Sequence, residues 1–189
     1  MAVESTMLSL GTPAPDFDLP DTVGGGRVKL ADLNDKKALV VIFLCNHCPY
    51  VKHVQQGLVD FGNDYADRDV AIVAIGSNDA DNYPDDGPEQ LGAESRRLGY
   101  AFPVLYDETQ EVAKAYTAAC TPDFFLFGSD RSLVYRGRFD ESRPNSGVPV
   151  TGNDLRLAVD AVLGDSDVAT TQYASMGCSI KWKPGNEPG

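Results

Sequence analysis

Hydrophobic positions fall along the chain in two rhythms. The first is continuous: Ala38–Cys45 reads ALVVIFLC and Val70–Gly76 reads VAIVAIG. Runs of this length, rich in β-branched residues and apolar on both faces, predict strands in the middle of a sheet. They are far too short for a bilayer span, which takes roughly 20 residues. The second rhythm is helical. Val51, Val54, Leu58, Phe61 and Tyr65 recur three and four residues apart and form one apolar stripe. Proline is tolerated in a helix only in its first turn, so Pro49 places the helix start near Cys48. Further on, Pro88–Leu98 predicts a weaker helix, Phe102–Leu105 a short strand and Thr109–Tyr116 a short helix. Phe124–Phe127 and Leu133–Phe139 predict a hairpin turning at Gly128–Asp130. Asn153–Leu163 predicts a helix with Leu155, Val159 and Val162 on its stripe. The polar stretch SNDADNYPDDGP (77–88) predicts a surface loop, and a Pro/Gly-rich loop precedes Thr151. Residues 1–36 are irregular apart from apolar pieces at Phe17–Leu19 and Val28–Leu30. The segment after the last helix has no clear period.

Strands alternating with helices imply an α/β chain with a largely parallel, mixed central sheet flanked by helices and a hairpin at one edge. We expect one domain over residues 1–163, including an N-terminal extension, and a C-terminal tail, 164–189, packed on or near it. In open sheets of this kind, chemistry gathers beyond the carboxyl ends of the strands. Cys45 and Cys48 fall at such an end.

Composition narrows the function classes. The chain has 189 residues, with 16 Lys and Arg against 28 Asp and Glu, a net charge of −12. That balance argues against a nucleic-acid surface or an anionic membrane as partner, since both call for clustered cations. The opening MAVESTMLSLG lacks the basic start of a secretory signal, so the cytoplasm is the expected compartment. Four cysteines, Cys45, Cys48, Cys120 and Cys178, are too few for a disulfide scaffold. In a reducing compartment, a C-x-x-C pair reads as catalytic or metal-binding.

Cys45-Asn46-His47-Cys48-Pro49 carries the candidate chemistry. With Pro49 as the first helical residue, Cys48 sits on the helix N-terminus, where free N–H groups and the macrodipole favour a thiolate. Cysteines in such places have pKa values lowered to about 3.5–7.5, and the thiolate is the reactive form. A protonated His47 would lower it further. Cys45, three residues upstream, could come within bonding range of Cys48. Two other readings remain open: a pair of buried inert cysteines, and a structural zinc site on Cys45, Cys48 and His53 completed by Cys120 or Cys178.

VIFLCNHCPYVKH, with GTPAPDFDLPD before it, CTPDFFLFG after it and SMGCSIKWKPGNEP near the end, resembles the thioredoxin-fold redoxins. The nearest likeness is to the alkyl hydroperoxide reductase/thiol-specific antioxidant (AhpC/TSA) group, in a peroxiredoxin-like branch with C-N-H-C-P-[YF]-V-K-H. The resemblance implies a thioredoxin-like fold, Cys48 as the reactive cysteine, Pro122 as the cis-proline facing it, and Cys120 close by as a second candidate partner. Some positions depart from the pattern. Val51 stands where thioredoxins keep their second cysteine, and Ile42 where they keep a buried acid. Cys45 and Val41 replace the Thr or Ser and the Pro that peroxiredoxins place before their cysteine, and the peroxiredoxin arginine aligns with Pro122. Arg136, Arg138 or Arg143 could substitute. Residue alternation predicts instead that Arg136 and Arg138 lie on a solvated strand face, with Leu133, Tyr135 and Phe139 inward.

Three functions follow. The first is a thiol–disulfide oxidoreductase in which Cys48 attacks and Cys45 or Cys120 resolves. The second is a thiol peroxidase passing through a Cys48 sulfenic acid. The third is a non-catalytic zinc-binding or redox-sensing module. The expected partners are a disulfide-bearing protein or a small thiol or peroxide, with an external reductant of thioredoxin or glutathione type. No cofactor is expected. Cys178, on a tail with Trp182, reads either as a resolving thiol or as a semi-buried packing residue, and His53 as a solvated histidine.

Overall fold

The computed structural model describes residues 2–188; Met1 and Gly189, the outer ends of the expected domain and tail, lie outside the described residues. In chain order the elements are β1 (Ala2–Glu4), β2 (Asp18–Pro20), β3 (Arg27–Lys29), β4 (Ala38–Phe43), α1 (Pro49–Tyr65), β5 (Val70–Gly76), α2 (Pro88–Leu98), β6 (Val104–Tyr106), α3 (Glu111–Ala115), β7 (Cys120–Thr121), β8 (Asp123–Phe127), β9 (Leu133–Gly137), α4 (Asn153–Leu163) and β10 (Met176–Ser179). Five strands form the central sheet in the order β6-β5-β4-β8-β9. β4, β5 and β6 run parallel, while β8 and β9 are antiparallel additions at one side.

β4 is the middle strand, and all six of its residues are buried. Val40 and Ile42 pack with Val51, Val54, Leu58 and Phe61 of α1 and with Leu155 and Val159 of α4. Leu39, Val41 and Phe43 face the other way, onto Val112, Tyr116, Phe125 and Phe127. Each such side chain contributes roughly 1.5–3 kcal/mol of burial. A strand covered on both faces therefore needs no polar alternation.

Register places the site. Phe43, the last residue of β4, pairs with Asp123, the first of β8. The chain leaving β4 (residues 44–48) therefore meets the chain entering β8 (120–122) at the same end of the sheet. The Thr121–Pro122 peptide is cis. No helix among the described residues is long and apolar enough to cross a membrane.

Four regions differ from the sequence expectation. The aperiodic end of the chain contains β10, which lies between β1 and β7 in a second, antiparallel sheet. Its register sets Cys178 opposite Thr121 and Ser179 opposite Cys120, with Ala2 on the other side of Cys178. Strands of two to four residues are too short to display a period, so only their tertiary pairing reveals them. Gly177 is required there: a Cβ on it would stand 1.9 Å from the Thr121 carbonyl oxygen. The irregular N-terminal segment holds the β2–β3 ribbon.

The 77–88 stretch is no plain surface loop. Ser77, Asn78, Asp79 and Asp86 are buried, and Pro84–Asp86 forms a 3-10 turn. Arg136 and Arg138 are only partly solvated, because residues 172–173 cover the edge of β9. Gln172 accepts from the Arg136 N–H and Tyr173 O from the Arg138 N–H. Covering an edge strand in this way blocks further pairing.

Candidate active site

Cys48 is the N-cap of α1, with extended backbone at φ −72° and ψ 124°, and Pro49 is the first helical residue. The missing proline N–H costs nothing there, and the helix begins with its open N–H groups toward the sulfur. Cys48 has 0% exposure and Cys45 1%. As a neutral thiol, Cys48 donates to Thr121 O at 3.2 Å. Its thiolate form is favoured by the neighbouring Cys45 and Cys178 thiols and by the N–H groups of Val51 and Cys178. The Cys45 thiol is the largest influence. Burial opposes it, and the remaining donors bring the Cys48 pKa down to about 4. Bonding to the charged form outweighs desolvation here.

The partner thiols move the opposite way. Cys45 is pushed far up, first by its hydrogen-bonding interaction with the Cys48 thiolate, then by burial and by the Asp86 charge. Thr121 Oγ1 lies 3.2 Å from Cys45 Sγ. A hydroxyl donated to that sulfur extends a chain from Thr121 through Cys45 to Cys48. Cys178 is raised to about 11, by burial and then by its bond to Cys48, with Lys181 acting against the rise. All four cysteines are free thiols.

Asp86 organises the turn between Cys45 and Cys48. It is 1% exposed, and its Oδ1 accepts from the backbone N–H groups of Asn46 at 2.8 Å and His47 at 3.3 Å. Its Oδ2 lies 2.5 Å from His47 Nδ1 and accepts from Asn78 Nδ2 at 2.8 Å. The His47 ring stacks on Tyr83, with centroids 5.4 Å apart. Asn78 Oδ1 in turn accepts from the Lys181 N–H, which ties the loop to the chain leaving β10. Sequence reasoning missed this carboxylate. Its one signal was position, in the loop that follows a parallel strand's carboxyl end.

The other expected residues lie as follows. Pro122 is the cis-proline beside the site, and the preceding carbonyl, Thr121 O, touches Cys48. Cys120 is on the same short strand but donates to Pro122 O, at 3.6 Å. Burial and the Asp123 charge push its pKa up. The thiols that favour the Cys48 thiolate are thus those of Cys45 and Cys178 rather than Cys120. Arg138 donates to Asp154 at 2.6 Å and stacks over Tyr173. Arg136 donates to Leu8 O and Gln172. Both guanidinium groups are committed away from Cys48. His53 is half-buried rather than solvated, and its Nε2 lies 3.1 Å from Ser142 Oγ.

A metal is a separate question. Among the described residues, the side chains placed to share a cation are Cys45, His47 and Asp86, with ligand atoms within 4.8 Å of one another. His53 is not in this group, so the Cys45-Cys48-His53 zinc set does not assemble. The His47–Asp86 pair is already closed on itself at 2.5 Å, and three further N–H groups occupy Asp86. This is the bonding of a carboxylate that holds a turn in place, and a cation would have to displace it.

The chain is 55% identical to an uncharacterized conserved protein from Geobacillus kaustophilus over 98% of both chains, with a TM-score of 0.96. It is 24% identical to a thioredoxin candidate from Neisseria meningitidis, over 82% of this chain and 93% of the other, with a TM-score of 0.62; this likeness supports the thioredoxin-like fold. Two Mycobacterium tuberculosis proteins named as candidate peroxiredoxins are 30% identical over 115 residues, 61% of this chain and 68% of theirs. The family profile described as Redoxin matches residues 9–155. With a thioredoxin-like fold, a C-x-x-C at a helix N-terminus and a match over most of its length, the chain belongs to the redoxin family.

Proposed function

We propose that the protein is a cysteine-dependent thiol–disulfide oxidoreductase in which Cys48 attacks and Cys45 resolves. One observation carries this reading: Cys48 is the N-cap of α1, with Cys45 three residues upstream and the carbonyl oxygen before cis-Pro122 3.2 Å from its sulfur. Such a sulfur is held as thiolate near neutral pH, the form that attacks disulfides. The Cys48 thiolate bonds to one sulfur of a substrate disulfide, and the other sulfur leaves as thiolate and takes up a proton. Cys45 then gives up its proton and attacks Cys48 Sγ, expelling the second substrate sulfur. Substrate gains two electrons, and the protein keeps a Cys45–Cys48 disulfide for an external thiol reductant to reopen. The His47–Asp86 pair, within 4.8 Å of the Cys45 sulfur, is placed to receive the Cys45 proton. Four free thiols suit a reducing compartment such as the cytoplasm. The partners in this reading are disulfide-bearing proteins or small disulfides, and a dithiol or glutathione-type donor.

The peroxiredoxin names of the Mycobacterium tuberculosis relatives favour a second reading, attack of Cys48 on a hydroperoxide to give a sulfenic acid. The site supports it less well, because Arg136 and Arg138 are bound elsewhere. Insulin reduction driven by dithiothreitol, run beside hydroperoxide consumption, separates the two. We expect the wild-type protein to reduce insulin, and Cys48→Ser to fall to the uncatalysed rate. Full insulin activity in Cys48→Ser would refute the proposal. Peroxide consumption without insulin reduction would move the assignment to the peroxidase.

A further inference from the structure

Three thiols meet at this site where a disulfide exchange needs two. Cys178 lies opposite Thr121, whose carbonyl oxygen is 3.2 Å from Cys48 Sγ, and it packs against the cluster that holds Cys45 and Cys48. It is held there by β10, which pairs with β7 on one side and β1 on the other. The Gly177 contact with Thr121 keeps the strand close. Cys178 borders solvent, whereas Cys45 and Cys48 are covered.

We propose that Cys178 is the outward redox partner of Cys48: it takes over the disulfide from Cys45 and presents it to the external reductant. The inference rests on the disulfide-exchange reading above. In the first step, Cys178 loses its proton and attacks Cys48 Sγ in the Cys45–Cys48 disulfide. A Cys48–Cys178 bond forms, and Cys45 leaves as a thiolate and takes up a proton. No oxidant is needed, because the disulfide only changes partners. In the second step, one thiolate of an external dithiol attacks Cys178 Sγ and Cys48 leaves as thiolate. A low-pKa thiolate is the better leaving group, so this direction of cleavage is favoured. In the third step, the second thiol of the reductant closes its own disulfide and releases Cys178 reduced. The dithiol has lost two electrons, and the protein holds three thiols again.

Peptide mapping of the oxidised full-length protein tests this. Reduced wild-type, Cys45→Ser, Cys48→Ser and Cys178→Ser proteins are treated with one equivalent of hydroxyethyl disulfide, blocked with iodoacetamide and digested without reductant. No Lys or Arg lies between Cys45 and Cys48. A Cys45–Cys48 disulfide therefore stays within one tryptic peptide, while a Cys48–Cys178 disulfide joins two. We expect the joined pair in wild type and in Cys45→Ser, and its loss in Cys48→Ser and Cys178→Ser. Oxidised Cys178→Ser, holding only the internal disulfide, should be reopened by dithiothreitol at least about tenfold more slowly than wild type. An internal disulfide in wild type with no joined pair, reopened at the same rate in Cys178→Ser, would overturn the proposal and leave the oxidoreductase reading standing. If no disulfide of either kind forms, both fail.

Discussion

In a Cys45→Ala protein, half-maximal alkylation of Cys48 is expected about one to two pH units higher than in wild type. The Cys45 S–H is the strongest influence holding the Cys48 sulfur as thiolate. A hydrogen bond to a charged group is worth roughly 1.5–3 kcal/mol. One pKa unit corresponds to about 1.4 kcal/mol, so losing the donor should raise the pKa by about one to two units. Near the wild-type midpoint, the alkylation rate should therefore fall roughly tenfold. Cys45→Ser keeps an O–H in place of the S–H and should recover part of the shift. Cys178→Ala removes a weaker influence on the same sulfur and should shift the midpoint less. Rates of iodoacetamide labelling between pH 3 and 9, read at the Cys48 peptide, measure all four proteins. A Cys45→Ala profile that overlays wild type would show that Cys45 is not the donor.

Replacing Asp86 by alanine should cost more stability than any surface change. The carboxylate is buried and accepts from the Asn46, His47 and Asn78 N–H groups as well as lying against His47 Nδ1. Each buried donor left unpaired costs about 1–3 kcal/mol, so a loss of roughly 3–5 kcal/mol is expected once part of the turn relaxes. For a chain of this size, a loss of that order lowers Tm by roughly 6–20 °C. The Cys45–Cys48 turn hangs from these bonds, so insulin reduction should fall with it, even at temperatures where the variant stays folded. Asp86→Asn keeps the shape and one acceptor oxygen, and should lie between. Thermal unfolding followed by circular dichroism gives the comparison. An unchanged Tm in Asp86→Ala would mean that the turn is held by other contacts.

The two predictions rest on residues of different legibility. Cys48 could be placed from sequence because Pro49 and the Val51–Tyr65 stripe fix the helix start locally, and the structure begins α1 at Pro49. The buried strands β4 and β5 were equally plain, since both faces of each are covered and the apolar run is unbroken. Asp86 was not legible. Nothing in PDDGP distinguishes a solvated aspartate from one that folds back across the sheet end to Asn46 and His47. The position of Cys178 was hidden for the same reason. β10 is four residues long, and its place beside β7 comes from pairing with residues more than fifty positions away. Arg138 shows the opposite error. Alternation along β9 was read correctly, with Leu133, Tyr135 and Phe139 inward. The outward face is nevertheless covered, because Gln172 and Tyr173 lie across it. Local periodicity reports which residues share a face, but not what later packs against that face.

Cys48 attacks a disulfide only as a thiolate, so it must be one at neutral pH. The direct test is the pH dependence of Cys48 alkylation in the reduced wild-type protein, with the labelled residue identified by peptide mapping and the fold followed by circular dichroism at each pH. With the Cys45 and Cys178 thiols and the start of α1 lowering its pKa to about 4, Cys48 should show a midpoint near that value, with the labelling rate already on its plateau at pH 7. A midpoint close to the ordinary cysteine value of about 8.5 would contradict the account, because Cys48 would then be a buried thiol rather than a nucleophile.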